Sequence, residues 1–67
     1  MTGYGEKLKT LRGNRSADEV AKAVGISRSA VGMYEAEDRI PRDDIKIKLA
    51  NYFGTTVQAI FFDINVT

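Results

Sequence analysis

An all-α domain of five short helices is the fold class this sequence predicts. Three observations lead there. Apolar residues recur at helical steps of three and four; Ser16, Ser27 and Thr55 or Thr56 stand where helices would be capped; and Gly13, Gly25 and Gly54 stand where three of them would stop. At 67 residues the chain is one module, near the size at which a single core only just suffices, because such a domain buries roughly 60% of its unfolded surface.

Along the chain, Tyr4, Leu8 and Leu11 fall on one helical face, with Glu6, Lys7, Lys9 and Arg12 around the rest, so the first helix runs from Tyr4 to Arg12. Gly13 and Asn14 break it. Ser16 followed by Glu19 is a capping-box pattern, and a second helix starts near Ala17 with Val20, Ala21 and Val24 inward. Gly25 arrives where a residue of positive φ ends a helix without steric cost. Ser27 then caps a third helix, in which Val31 and Tyr34 face inward while Arg28, Ser29, Gly32 and Met33 point elsewhere. The polar run "AEDRIPRDD" reads as a loop entering a fourth helix, whose first-turn acids Asp43 and Asp44 favour the helix dipole. Its apolar stripe is Ile45, Leu49, Ala50 and Phe53; Gly54 stops it; and Val57, Ile60 and Phe61 form the inner side of a fifth helix.

The last residues follow a different period. Phe62, Ile64 and Val66 alternate with Asp63, Asn65 and Thr67, the pattern of a half-buried strand. A lone strand has no partner in a helical chain, so the expectation is a short C-terminal strand pairing with its own copy across a dimer two-fold axis. A frayed tail over 63–67, beyond a core of 4–62, is the alternative.

Composition narrows the function. With neither cysteine nor histidine, the chain lacks thiolate and imidazole metal ligands and the commonest general base, so no metal, cofactor or catalytic centre is expected. No basic segment precedes an apolar run at the start, and no apolar stretch approaches the ~18 residues of a membrane span, which leads to the expectation of a cytoplasmic protein without a membrane partner. No small-molecule site is evident. Ten Lys plus Arg against nine Asp plus Glu give a net charge of +1, so nucleic-acid binding has to be judged from where the charges lie.

The stretch from Ala17 to Tyr34 has the spacing a helix-turn-helix needs: a small Ala21 lets two helices approach, Gly25 bends the chain, and Val31 and Tyr34 anchor the second helix. With "LKTLR" at Leu8 to Arg12, "SADEVAKAVGISRSAVGMYE" at Ser16 to Glu35, "RIPRDDIKIKLANYFG" at Arg39 to Gly54 and "TTVQAIFF" at Thr55 to Phe62, the sequence resembles the XRE family of bacterial and phage regulators, the lambda-repressor-like domains. The likeness spans residues 4 to 62. It implies a five-helix domain whose third helix enters the major groove of double-stranded DNA, and a homodimer reading two half-sites. It also implies that Arg12, ending the first helix, pairs with Glu35, ending the third.

On that basis Ser27, Arg28, Ser29, Gly32 and Met33 are the candidate base-reading residues. Arg28 suits guanine O6 and N7, with a solvated or phosphate-bound arginine as the alternative. Met33 suits thymine methyl groups or, equally, a gap in the core; Gly32 reads as a close approach to DNA or as a tolerated defect. Phosphate contacts are expected from Arg15, Ser16, Ala17, Arg39 and Arg42, at the start of the second helix and in the flanking loops. Lys46 and Lys48 are expected to solubilise the fourth helix. The chain departs from the family at Ala17, where many relatives carry glutamine, and at Glu37 and Asp38, where glycine and lysine are frequent. The connection between the first two helices is shorter than the common pattern. These changes subtract DNA contacts and positive charge, which points to modest affinity from one domain and to reliance on dimerisation or DNA shape. A dimeric repressor on a two-fold symmetric operator is the leading expectation. The alternative is a protein-interaction module of antitoxin or antirepressor type on the same fold; an enzyme is the weakest class.

Overall fold

The computed structural model describes residues 3–62. Five helices follow in order: α1 (Tyr4–Arg12), α2 (Ala17–Val24), α3 (Arg28–Glu35), α4 (Asp43–Phe53) and α5 (Val57–Phe61). Every regular element among the described residues is helical, as the periodicity predicts. Of the tail expectation only Phe62 is described, 54% exposed just after α5; Ile64 and Val66 lie outside the described residues.

Local chemistry sets the starts. Ser16 Oγ accepts from the Glu19 amide at 3.1 Å and Ser27 Oγ from the Ala30 amide at 3.0 Å. Thr56 rather than Thr55 caps α5, its Oγ1 accepting from the Ala59 amide at 3.0 Å. Each bond satisfies one of the amides that a helix leaves without an internal partner.

The stops of α2, α3 and α4 share one geometry, unlike that of α1 at Gly13, with φ 57° and ψ −123°. Gly25 has φ 81°, and the next amide, Ile26, donates to the carbonyl of Ala21; Gly54 has φ 70°, and Thr55 donates to Ala50. The same motif closes α3, where Asp38 donates to Met33 and Glu37 to Tyr34, but there the left-handed residue is Glu37, with φ 61°. An L side chain in that region costs roughly 1–2 kcal/mol relative to the right-handed one, so something must offset it.

The core is built from Leu8, Val20, Ala21, Val24, Val31, Tyr34, Ile45, Leu49, Ala50 and Ile60. Tyr4, Leu11, Phe53, Val57 and Phe61 are half-buried around it, closing its rim. α2 packs on α3 and α4, while α1 packs on α3 and α5. The crossing of α1 over the end of α3 depends on Gly5, where a Cβ would run into the Glu35 carbonyl oxygen and come within 2.8 Å of Glu37 Cγ. Lys46 departs from its expected role: its side chain is only 13% exposed, and its ammonium lies 5.6 Å from the ring of Phe61 and 5.0 Å from that of Phe62. The aliphatic stem covers apolar surface while the charge stays near Asp43 and the two aromatic faces. Lys48 is exposed, as expected.

Candidate nucleic-acid interface

α2 and α3 are joined by three residues, Gly25, Ile26 and Ser27. Val31 and Tyr34 anchor α3 in the core, and the opposite side presents Ser27, Arg28, Ser29 and Gly32 to solvent. Eight residues at 1.5 Å rise make α3 about 12 Å long. Nothing lies within 4 Å of a Cβ built at Gly32, so this face is open on that flank. Met33 is half-buried and stands at the edge of the face, whereas the other four are exposed.

The orientation of α3 is held from its far end. Arg12 Nε donates to Glu35 Oε2 at 2.7 Å and Nη2 to Oε1 at 3.1 Å, a two-pronged pair with the glutamate side chain 9% exposed. The third guanidinium nitrogen, Nη1, donates to the Arg15 carbonyl at 3.0 Å. One side chain thereby ties the end of α1, the α1–α2 loop and the end of α3. The pairing implied by the family resemblance is present in the fold.

The flanking residues occupy different settings. Ser16 and Ala17 open α2, whose first amides carry the positive end of the helix dipole. The Arg15 guanidinium stacks 5.1 Å from the Tyr52 ring centroid and 5.6 Å from that of Phe53, bracing the α1–α2 loop on the end of α4. Arg39 and Arg42 are exposed in the α3–α4 loop, and Arg42 reaches only a loose 3.9 Å contact with Asp44. Between this loop and the Gly25–Ile26 turn lies a notch of about 480 Å³, lined also by Tyr34, Ile40 and Ile45.

The loop is fastened to α1. Glu37 Oε2 accepts from the Gly5 amide at 3.0 Å, and the Tyr4 hydroxyl donates to the Arg39 carbonyl at 3.0 Å. Burial, and then the nearby carboxylates of Glu37 and Asp38, push the Tyr4 hydroxyl above its ordinary pKa. The reading of Glu37 from sequence as lost positive charge is therefore incomplete, since its carboxylate caps the first helix. Neither this contact nor the Gly5 crossing was anticipated, although a glycine inside a helical pattern is a signal of close approach.

A short glycine turn between two packed helices, the second anchored by apolar residues and open on a polar side, defines a helix-turn-helix domain. The chain matches the helix-turn-helix family (HTH_3) over residues 7–60 and belongs to it, as an XRE-type DNA-binding regulator. No curated protein and no solved structure gives a significant match. No helix among the described residues is long and apolar enough to cross a membrane.

Proposed function

We propose that the protein is a sequence-specific repressor that binds a two-fold symmetric operator as a homodimer in the cytoplasm. The observation that carries this reading is the open polar face of α3, held on a base of Val31, Tyr34 and the Arg12–Glu35 pair. A major groove about 12 Å wide admits such a helix. Arg28 reads guanine, Ser27 and Ser29 contact neighbouring base edges, and Gly32 lets the helix backbone approach the duplex, with Met33 at the edge toward thymine methyl groups. The start of α2 at Ser16 and Ala17 and the loop residues Arg39 and Arg42 take phosphates. Arg15 takes a phosphate from its seat on Tyr52 and Phe53. Phe62, with Ile64 and Val66, supplies the dimer contact, which spaces the two α3 helices by about 34 Å, one turn of DNA.

Selection of bound sequences from a random duplex library tests the proposal. The expected result is a symmetric motif, an affinity that falls steeply with salt, and relaxed preference at one position per half-site for Arg28→Ala, a loss of about 1–3 kcal/mol of discrimination. A salt slope near zero, or an unchanged motif for Arg28→Ala, refutes it.

A further inference from the structure

We propose that Glu37 is a positioning residue for DNA contact: by binding the Gly5 amide it holds the α3–α4 loop against α1 and fixes where Arg39 is presented. The proposal rests on the DNA-binding reading above and deepens it.

Three helices close on a left-handed residue whose successor donates to the carbonyl five positions earlier, and two of those residues are glycine. At the third, glutamate occupies φ 61°, where glycine would sit without strain. A side chain there needs a compensating contact, and its carboxylate makes one at 3.0 Å from the Gly5 amide. The approach is built from both sides. A Cβ at Gly3 would run into the Glu37 carboxylate, and one at Gly5 would crowd Glu37 Cγ at 2.8 Å, so two glycines in α1 and its cap leave the space the glutamate fills. The positive end of α1 then faces a carboxylate, which favours the charge as well as the hydrogen bond.

Two residues further along, the Arg39 carbonyl accepts from the Tyr4 hydroxyl at 3.0 Å. Adjacent residues of α1 thus grip the loop at two points, on either side of Asp38 and immediately before exposed Ile40. Between the second grip and buried Pro41 the backbone has little freedom, while the Arg39 side chain stays exposed. A cation on a fixed backbone loses less freedom on meeting a phosphate than one on a loose loop. The negative charge of Glu37 near the duplex opposes binding, and its positioning effect outweighs that opposition.

The two effects separate in a pair of variants. Glu37→Gly removes the strain, the charge and the clamp together; Glu37→Gln removes the charge but keeps an oxygen that can accept from the Gly5 amide. The probe is the duplex selected by the unaltered protein, with affinity measured across a salt series, thermal unfolding to confirm folding, and hydrogen exchange at the Gly5 amide to read the clamp. For Glu37→Gly the expectation is a folded protein, faster exchange at Gly5, affinity about fivefold weaker and a salt slope smaller by about 0.9, one phosphate contact. For Glu37→Gln, exchange and slope stay as in the unaltered protein and affinity is equal or higher. If both variants instead bind more tightly, with the slope unchanged, Glu37 acts only as a charge and the proposal is overturned. If the unaltered protein binds no duplex, the DNA-binding reading fails and the proposal with it, an outcome distinct from the first.

Discussion

Replacing Arg12 by methionine should test how firmly α3 is held. The substitution keeps most of the aliphatic stem and removes three donors: 2.7 and 3.1 Å to the Glu35 carboxylate and 3.0 Å to the Arg15 carbonyl. What remains is a carboxylate with its side chain 9% exposed and no cation facing it. Breaking a fully buried pair costs about 3–5 kcal/mol. Arg12 itself is 26% exposed, so water reaches the site and the loss falls near the lower bound, about 3 kcal/mol. Glu35→Gln, which keeps one acceptor and leaves the arginine within reach of solvent, should cost about 1 kcal/mol. A domain of this length has roughly 3–10 kcal/mol of stability, so Arg12→Met stands close to unfolding at ambient temperature. Urea unfolding followed by far-UV circular dichroism measures both, and melting should fall by roughly 12–24 °C for Arg12→Met at about 4–8 °C per kcal/mol. The reasoning is refuted if both variants stay within about 0.5 kcal/mol of the unaltered protein, the behaviour of an exposed ion pair.

Two further predictions follow from the same contacts. Gly5→Ala and Gly32→Ala both gain about 1 kcal/mol in helix propensity. At Gly5 the new Cβ meets the Glu35 carbonyl oxygen, which is backbone and cannot swing aside, so the cost lies toward the upper end of about 1–3 kcal/mol and exceeds that gain, whereas at Gly32 there is open space, so melting temperatures should move in opposite directions; equal shifts would disprove the crossing argument. Tyr4→Phe addresses alkaline behaviour. A hydroxyl whose folded pKa lies above the ordinary 10.0 keeps its proton better in the native state, so its contribution is present below that value and lost as pH rises through the raised one. Stability measured at about pH 9 and at about pH 11 should fall less in Tyr4→Phe than in the unaltered protein; an identical fall in both would show that Tyr4 is not the group responsible.

Much of the fold was legible because its signals are local. Ser27 capping α3 and Gly25 turning the chain are decided within four residues, and Val20, Val24, Val31 and Leu49 reveal their burial through spacing alone. The α3 face was legible for the same reason: once Val31 and Tyr34 point inward, Arg28, Ser29 and Gly32 have to point outward. Contacts between distant segments were another matter. The Arg12–Glu35 pair came through family resemblance, because nothing in the spacing of two residues 23 apart brings them together. Glu37 was noticed as an unusual residue at a glycine position, yet its partner is the backbone amide of Gly5, 32 residues away, and a backbone amide carries no mark in a sequence. Lys46 misled in a related way, since a lysine on a polar flank looks solvated until the aromatic rings of Phe61 and Phe62 are known to lie over it.

The partners of α1 have a bearing on how the protein comes into being. Tyr4 meets the ring of Phe61 at 5.4 Å, and Lys7 donates to the Ala59 carbonyl, 52 positions later in synthesis. At roughly 5–20 residues per second of translation the earlier segment waits several seconds for the later one, and nine residues are too few to hold a helix in water unaided. The leading segment can dock first on α3 and completes its packing only once α5 is available. Because Arg12 lies on that segment, the brace behind α3 gains its full support only when α5 joins α1.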